Sequence, residues 1–230
     1  LDYNDQAQLR DISARLHSDG QQHQISELSF STADIKLSAQ GEIAVDAPFT
    51  LKTEADIHGQ IAERALSLHV QANGTLAEIQ LSVLALAGIE GDAQATLTPF
   101  APQPVREASI RLRQIDPAAW HASAPQARLK LQADLAPENN GWLARWRIDN
   151  PQALPVDQRG LPFSRLQGQL HWLNGEWRLP ELLVDLASGG KLTGYGKWET
   201  PSDASAEGAL ALTLQVHAIN AARIHSQIKP

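Results

Sequence analysis

The sequence predicts an all-β fold: one elongated, curved antiparallel sheet with an apolar interior groove along its single dry face. Three observations lead there. Apolar and polar residues alternate with a period of two through most of the chain, the mark of strands with one dry and one wet face. Turn signals built on Asn and Gly separate the alternating runs, as in hairpins. The apolar share rests on Ala, Leu, Ile and Val, with aromatics at 5% and Met absent, so the dry face is mostly aliphatic.

In chain order, the clearest run sets Ile35, Leu37, Ala39, Gly41, Ile43 and Val45 against Lys36, Ser38, Gln40 and Glu42. Phe49, Leu51, Ala55, Ile57 and Ile61 come next, interleaved with Lys52, Glu54, Asp56, His58 and Gln60. Leu66, Leu68, Val70 and Ala72 oppose Ser67, His69, Gln71 and Asn73, and Ile79, Leu81 and Val83 follow the turn signal Asn73-Gly74. Further strands are expected at 89–97, at 108–112 with Ile110 and Leu112, at 129–135 with Leu129 and Leu131, and at 142–148 with Trp142, Trp146 and Ile148. The last third supplies 166–172 with Leu166, Leu170 and Trp172, then 177–179 and 182–186. It closes with 192–198, holding Leu192 and Trp198, and 210–216, holding Leu210, Leu212, Leu214 and Val216. The total is roughly a dozen strands, with little left for helix.

Asn139-Asn140-Gly141, Asn174-Gly175 and Ser188-Gly189-Gly190 read as hairpin turns in an antiparallel meander. The Pro-bearing connectors at 99–105 and 149–162 read as bends or irregular loops. Two segments break the alternation, 116–121 and 220–225. Asp116 before Pro117 is a helix start, with Pro at the first helical position. Both segments follow an Ile, at 115 and 219, and share the pattern Ile-(Asp/Asn)-x-Ala-x-apolar-His, which suggests an internal repeat.

A closed sandwich of such strands needs a second sheet and large residues in a shared core. Here many inward positions are small: Ala39, Gly41, Ala55, Gly59, Ala93, Ala95, Gly168, Gly194 and Gly196. Small residues permit curvature and leave space. The alternating residues named above are therefore expected to line a trough suited to acyl chains, which leave water at about 25 cal/mol per Å² of apolar area. At about 4.8 Å per strand a dozen strands give a trough roughly 50 Å long.

The net charge of −7, with scattered Lys and Arg, removes nucleic acid as a partner. There is no Cys, hence no disulfide framework and no thiolate metal site. No run approaches the about 18 apolar residues of a membrane-spanning helix. Leu1-Asp2-Tyr3-Asn4-Asp5 lacks signal-peptide character and an initiator Met, so residues 1–230 are expected to be a single β segment from inside a longer protein.

The eight His residues are dispersed, and those in strands fall mostly on the wet face, as solvated side chains do. For His121 and His225, which recur in the repeat, a structural cap gains weight beside that reading. Glu54 and Asp56 lie two apart on one strand face without an acid or base companion in sequence. No nucleophile elbow, phosphate loop or dinucleotide fingerprint occurs. The expectation is a chain with no catalytic residues, no metal and no cofactor.

The segment Ile148-Asp149-Asn150-Pro151 through Arg159-Gly160-Leu161-Pro162-Phe163, followed by Leu166-Gln167-Gly168-Gln169-Leu170-His171-Trp172, resembles the TamB family. Residues 115–119 and Gly194-Tyr195-Gly196-Lys197-Trp198 also look like landmarks of that family. The likeness spans most of the chain, as a style of β repeat. It implies a periplasmic β-taco, a folded sheet with a greasy interior, in a protein anchored to the inner membrane by an N-terminal segment absent here. It further implies phospholipid acyl chains as cargo, and the Omp85-type outer-membrane protein TamA as a partner reached through other parts of the full-length protein. Phospholipid transport and outer-membrane protein assembly are the implied functions.

Two rivals remain. An outer-membrane β-barrel would carry aromatic girdles and evenly long strands, yet the sequence has two Tyr and four Phe. A carbohydrate-active β-solenoid would need a short fixed repeat, which is not found.

Overall fold

The computed structural model describes residues 2–3, 7–61, 64–173, 175–187, 189–199 and 209–228. It is all-β. Two short strands, β1 (Asp2–Tyr3) and β2 (Ala7–Gln8), pair with each other, Asp2 opposite Gln8. The rest is one antiparallel sheet of 14 strands that does not close on itself. Its strands are β3 (Arg10–Ser18), β4 (Gln22–Ser31), β5 (Ile35–Ala44), β6 (Thr50–Ile61), β7 (Arg64–Thr75), β8 (Glu78–Ala87), β9 (Glu90–Leu97) and β10 (Val105–Ile115). They continue as β11 (Leu129–Glu138), β12 (Gly141–Asp149), β13 (Phe163–Leu173), β14 (Glu176–Leu186), β15 (Lys191–Glu199) and β16 (Ala209–His217). Strand order in the sheet is chain order, so every connection is a hairpin or a longer loop between neighbours. Among the described residues no helix is long and apolar enough to cross a membrane.

The chain divides into two compact units, Leu1–Ala108 and Ser109–Pro230. In the first, the register places Leu37 opposite Ile57, Ile57 opposite Leu68, and Ala55 opposite Val70, which in turn faces Val83. Directly opposed residues in an antiparallel pair share a face. The predicted dry residues of β5 to β8 therefore lie on one side, and Lys36, Glu54, Gln71 and Ser82 on the other. In the second unit Ile148 stands between Leu131 and Leu166, and Leu166 opposite Val184, which pairs with Leu192 and so reaches Val216.

The structure corrects the sequence reading in five places. Arg10–Ser18 and Gln22–Ser31 are strands that the sequence reading did not name; Ile12, Ala14 and Leu16 alternate in the first, while the alternation of the second is broken. The break in β4 is a bulge, a register shift between Ile25 and Leu28 that leaves Ser26 and Glu27 as the extra step. Residues 177–179 and 182–186 are one strand, β14, with a register shift between Leu179 and Leu182 in its pairing with β15. Asn73-Gly74 is not a turn: both residues lie inside β7, Gly74 opposite Leu51 and Ile79, and the turn is at 76–77. Gly74 has φ +131°, and a Cβ there would strike the Glu78 carbonyl oxygen. It is a bent strand residue whose neighbour approaches too closely for any side chain. Finally, Val45 and Phe49 lie outside the strands, in the turn between β5 and β6, where Phe49 has φ +57° and is 41% exposed.

Asn139 and Asn140 do form the expected tight turn, with φ of 47° and 64°, the left-handed pair that suits a hairpin. Asn174 and Ser188 lie outside the described residues, as does the side chain of Ile61. The two helical segments are present as single turns, Pro117–Ala119 and α1 (Ala221–Ile224). Asp116 caps the first by accepting from the Ala118 N–H at 3.1 Å, and Asn220 caps the second by accepting from the Ala222 N–H at 3.1 Å. Gln114 and Ala218, each one residue before the shared Ile, have φ of 56° and 52°. The two copies thus share a backbone path as well as a motif.

Candidate functional site

Reading across the strands of the second unit gives several apolar rows on one side. One holds Leu131, Ile148, Leu166, Val184, Leu192 and Val216. A middle row holds Ala133, Trp146, Gly168, Leu182, Gly194 and Leu214. At the far strand ends Trp142, Trp172, Trp177 and Trp198 stand in successive register and lead to Leu210. The ring centroids of Trp142 and Trp172 are 5.1 Å apart with planes at 37°, and those of Trp172 and Trp177 are 6.2 Å apart at 55°. These tilted contacts are among the favourable aromatic geometries.

Small residues in the middle row make room for large ones. A Cβ on Gly168 would lie 2.8 Å from Cζ2 of Trp146, so the indole lies flat on the glycine opposite it. In the first unit the corresponding face runs from Ile25, Leu28 and Phe30 through Ile35, Leu37, Ala39 and Ile43. It continues over Leu51, Ile57, Leu66, Leu68 and Val70 to Ile79, Leu81 and Val83, and ends on Ala93, Ala95 and Leu97.

These faces are not covered in the manner of a globular core. Among the described residues only Leu66, Ala127, Leu129 and Leu143 are buried hydrophobics. Apart from Gly168, the remaining row residues are half-buried or exposed, Trp198 at 41% and Leu210 at 73%. Within each unit the principal packing of a strand is sideways, against its sheet neighbours.

One end of the second unit's sheet is built differently. Asn150 follows β12 and is 1% exposed. Its Nδ2 donates to the carbonyls of Leu161 at 3.1 Å and Phe163 at 2.9 Å, and its Oδ1 accepts from the Gln152 N–H at 3.3 Å. That side chain ties off the loop 150–162. The loop in turn holds both helical segments: Arg159 donates through Nη2 to the Ala122 carbonyl, and its own carbonyl accepts from the Gln126 N–H at 2.7 Å. Asp157 accepts from the Ser226 N–H at 2.8 Å and from the Ser226 hydroxyl. These two bonds hold the Asp157 carboxyl below the usual carboxylate range. The irregular loop expected at 149–162 is there from residue 150, and its hydrogen bonds make it a polar knot that anchors residues from three parts of the chain.

The wet face carries cross-strand pairs. His69 Nδ1 lies 2.7 Å from Asp56 Oδ1, and His171 Nδ1 lies 3.0 Å from Glu138 Oε2. Asp149 accepts from Arg147 at 2.8 Å and from Arg165 at 3.0 Å. Partial burial by itself pushes the Asp149 carboxyl up, but those two guanidinium partners hold it below its ordinary value. His23 is the exception to the wet-face placement of strand histidines, standing opposite Ile43 on the dry side. The wet-face depression lined by Gln24, Gln40, Glu42, Lys52 and Glu54 is polar and open. Among the described residues no three His, Cys, Asp or Glu side chains gather as metal ligands.

Of the residues predicted to line the dry face, those in β5 to β8 and β12 to β16 share their unit's apolar side through the register, and so does Leu131 in β11. Leu129 keeps the parity of Leu131 and is 9% exposed. Ile110 and Leu112 lie two apart in β10, with Ile110 40% exposed. Val45 and Phe49 fall away into a turn. Sequence reading missed Ile25, Leu28 and Phe30, and also Trp177, Leu179, Leu182 and Val184. In both groups a bulge shifts the parity midway, so a strict period-two count breaks although each half alternates correctly. No protein-family model, curated protein or solved structure matches the chain.

Proposed function

We propose that this chain is a non-catalytic periplasmic scaffold of the TamB type, whose sheet folds into a taco and holds phospholipid acyl chains along its apolar face. In that role it serves lipid passage between the inner and outer membranes and, with an Omp85-type partner such as TamA, the assembly of outer-membrane proteins. The observation that carries the reading is the half-exposed state of mostly apolar rows on one face of each unit, with a mostly polar face, bearing the ion pairs, on the other. A globular core would have closed over these residues. Acyl chains fit because the rows are mostly aliphatic, with four tryptophans gathered at one end of the second unit's strands. An open sheet lacks the closure that a membrane-spanning barrel requires, and antiparallel hairpins differ from the stacked parallel coils of a β-helix.

The test is native mass spectrometry with lipid extraction on the purified chain. Phospholipid is expected to copurify, and to fall at least about tenfold in Leu37→Asp and Leu68→Asp, whose charge is costly on a greasy face. Ser38→Asp, on the wet face, should retain it. A photoreactive group at Ile43 should crosslink to lipid and one at Glu42 should not. Lipid-free protein, or equal crosslinking from both positions, would refute the proposal.

A further inference from the structure

We infer that the tryptophan row of the second unit marks where the polar heads of bound phospholipids stand, so that each acyl chain lies along the strands with its methyl end toward the loop 150–162. This rests on the lipid-holding role proposed above and adds to it the orientation of the cargo.

Four of the chain's six tryptophans stand in this row, Trp142, Trp172, Trp177 and Trp198, with Pro137 opposite Trp142 in β11. It is the last dry-face row before the hairpin turns. Inward of it on the same face the register gives aliphatic side chains, Leu135, Ala144 and Leu170. Outward of it come Glu138, Glu176 and Glu199, and Arg178 donates to Glu176 at 2.8 Å. The indoles thus have hydrocarbon on one side and charge on the other. An indole, apolar over most of its surface but with one N–H to donate, collects at that kind of boundary.

The opposite end of the same face is built differently. Its last dry row, from Leu131 through Ile148, Leu166 and Val184 to Leu192, is wholly aliphatic. Exposure also falls toward it. Along β15 it drops from Trp198, 41% exposed, to the half-buried Leu192, and along β11 from the half-buried Pro137 to the buried Leu129. Polypeptide closes over the β11 corner, where Ala127 is buried and the Gln126 N–H donates to the Arg159 carbonyl of the loop 150–162. A closed aliphatic end suits a methyl terminus, which has no hydrogen bonds to keep. Glycerol esters and a phosphate must keep theirs, and the open aromatic end lets them.

The spacing fits one chain. Ile148 lies six residues beyond Trp142 in a strand paired without a shift on both sides, about 20 Å at about 3.3 Å per residue. One leaflet of a bilayer is about 15 Å of hydrocarbon, half of about 30 Å. A single acyl chain spans the distance between the two rows, and two laid end to end do not.

Photoreactive phosphatidylcholine loaded onto the purified chain tests this, with the diazirine placed either beside the glycerol ester or at the acyl terminus and the attachment sites located by peptide mass spectrometry. The ester-side label is expected on Trp172, Trp177 and Trp198, and the terminal label on Ile148, Leu166 and Leu192. Each should favour its own row by at least about fivefold, the worth of one or two methylenes kept from water. Trp172→Leu combined with Trp177→Leu keeps the face apolar, so it should retain bound lipid and lose the ester-side preference. The reverse distribution, the same distribution from both labels, or a preference untouched by that double variant overturns the inference and leaves the proposed function standing. A chain that takes up no phospholipid removes both.

Discussion

Replacing Asn150 with alanine removes three hydrogen bonds from the most buried polar side chain among the described residues. Two are donated to the carbonyls of Leu161 and Phe163, and one is accepted from the Gln152 N–H. The Leu161 carbonyl keeps the Leu154 N–H at 3.2 Å, so it is not orphaned. At about 1 kcal/mol net per bond, the loop 150–162 should lose about 3 kcal/mol of protection against opening. That corresponds to roughly a hundredfold faster amide exchange, at about 1.4 kcal/mol per factor of ten. Hydrogen exchange followed by mass spectrometry reads it directly. The Asn150 N–H, which donates to Ser164, the Leu154 N–H, and the Gln126 N–H, which donates to Arg159, should all accelerate. Amides of β5 to β8 should not. Asn150→Asp should be worse than alanine, because a carboxylate oxygen would replace the amide nitrogen against two carbonyl oxygens. Acceleration below about threefold in the alanine variant, or aspartate milder than alanine, would refute the view that this side chain ties the knot.

Gly74→Ala should destabilise the β6–β8 hairpins by more than about 1 kcal/mol, since φ +131° and the approach of the Glu78 carbonyl both exclude a Cβ; an unchanged urea midpoint would contradict this. For Asp157, the folded carboxyl titrates below the unfolded value of 3.8, so its hold on Ser226 is complete above that value and is lost as pH falls through the lowered one. Exchange of the Ser226 amide should therefore quicken only in that acid window, and Asp157→Asn should loosen it at every pH; tightening on acidification would reverse the sign argued here.

Much of the sheet was legible because a strand with one dry face writes its periodicity into the chain. Leu37, Ile57, Leu68 and Val83 were placed on a common side before any register was known, and the register agrees. What could not be read was any feature in which one strand depends on another. The bulges in β4 and β14 are legible only through the partner strand, where two residues meet one. Gly74 looked like a turn because Asn-Gly is a strong local signal, but the close approach of β8 decided its place. Phe49 kept the right parity and still left the face, since the backbone reverses at that residue with φ +57°. Asn150 belonged to a quoted motif without a stated role. Its partners sit 11 and 13 residues further on, beyond the reach of local pattern.

Because strand order equals chain order, the backbone ladder of each strand is shared only with what was made just before and just after it. No long-range closure is required anywhere in the sheet, so growth can begin at any hairpin and spread outward, with low contact order despite the β content. The same arrangement sets its mechanics. A pull on the two terminal strands loads one ladder at a time, and the sheet should peel from its ends in small steps of about a strand each, instead of failing at once. Gain or loss of a hairpin would likewise lengthen or shorten the molecule without rewiring the strands that remain.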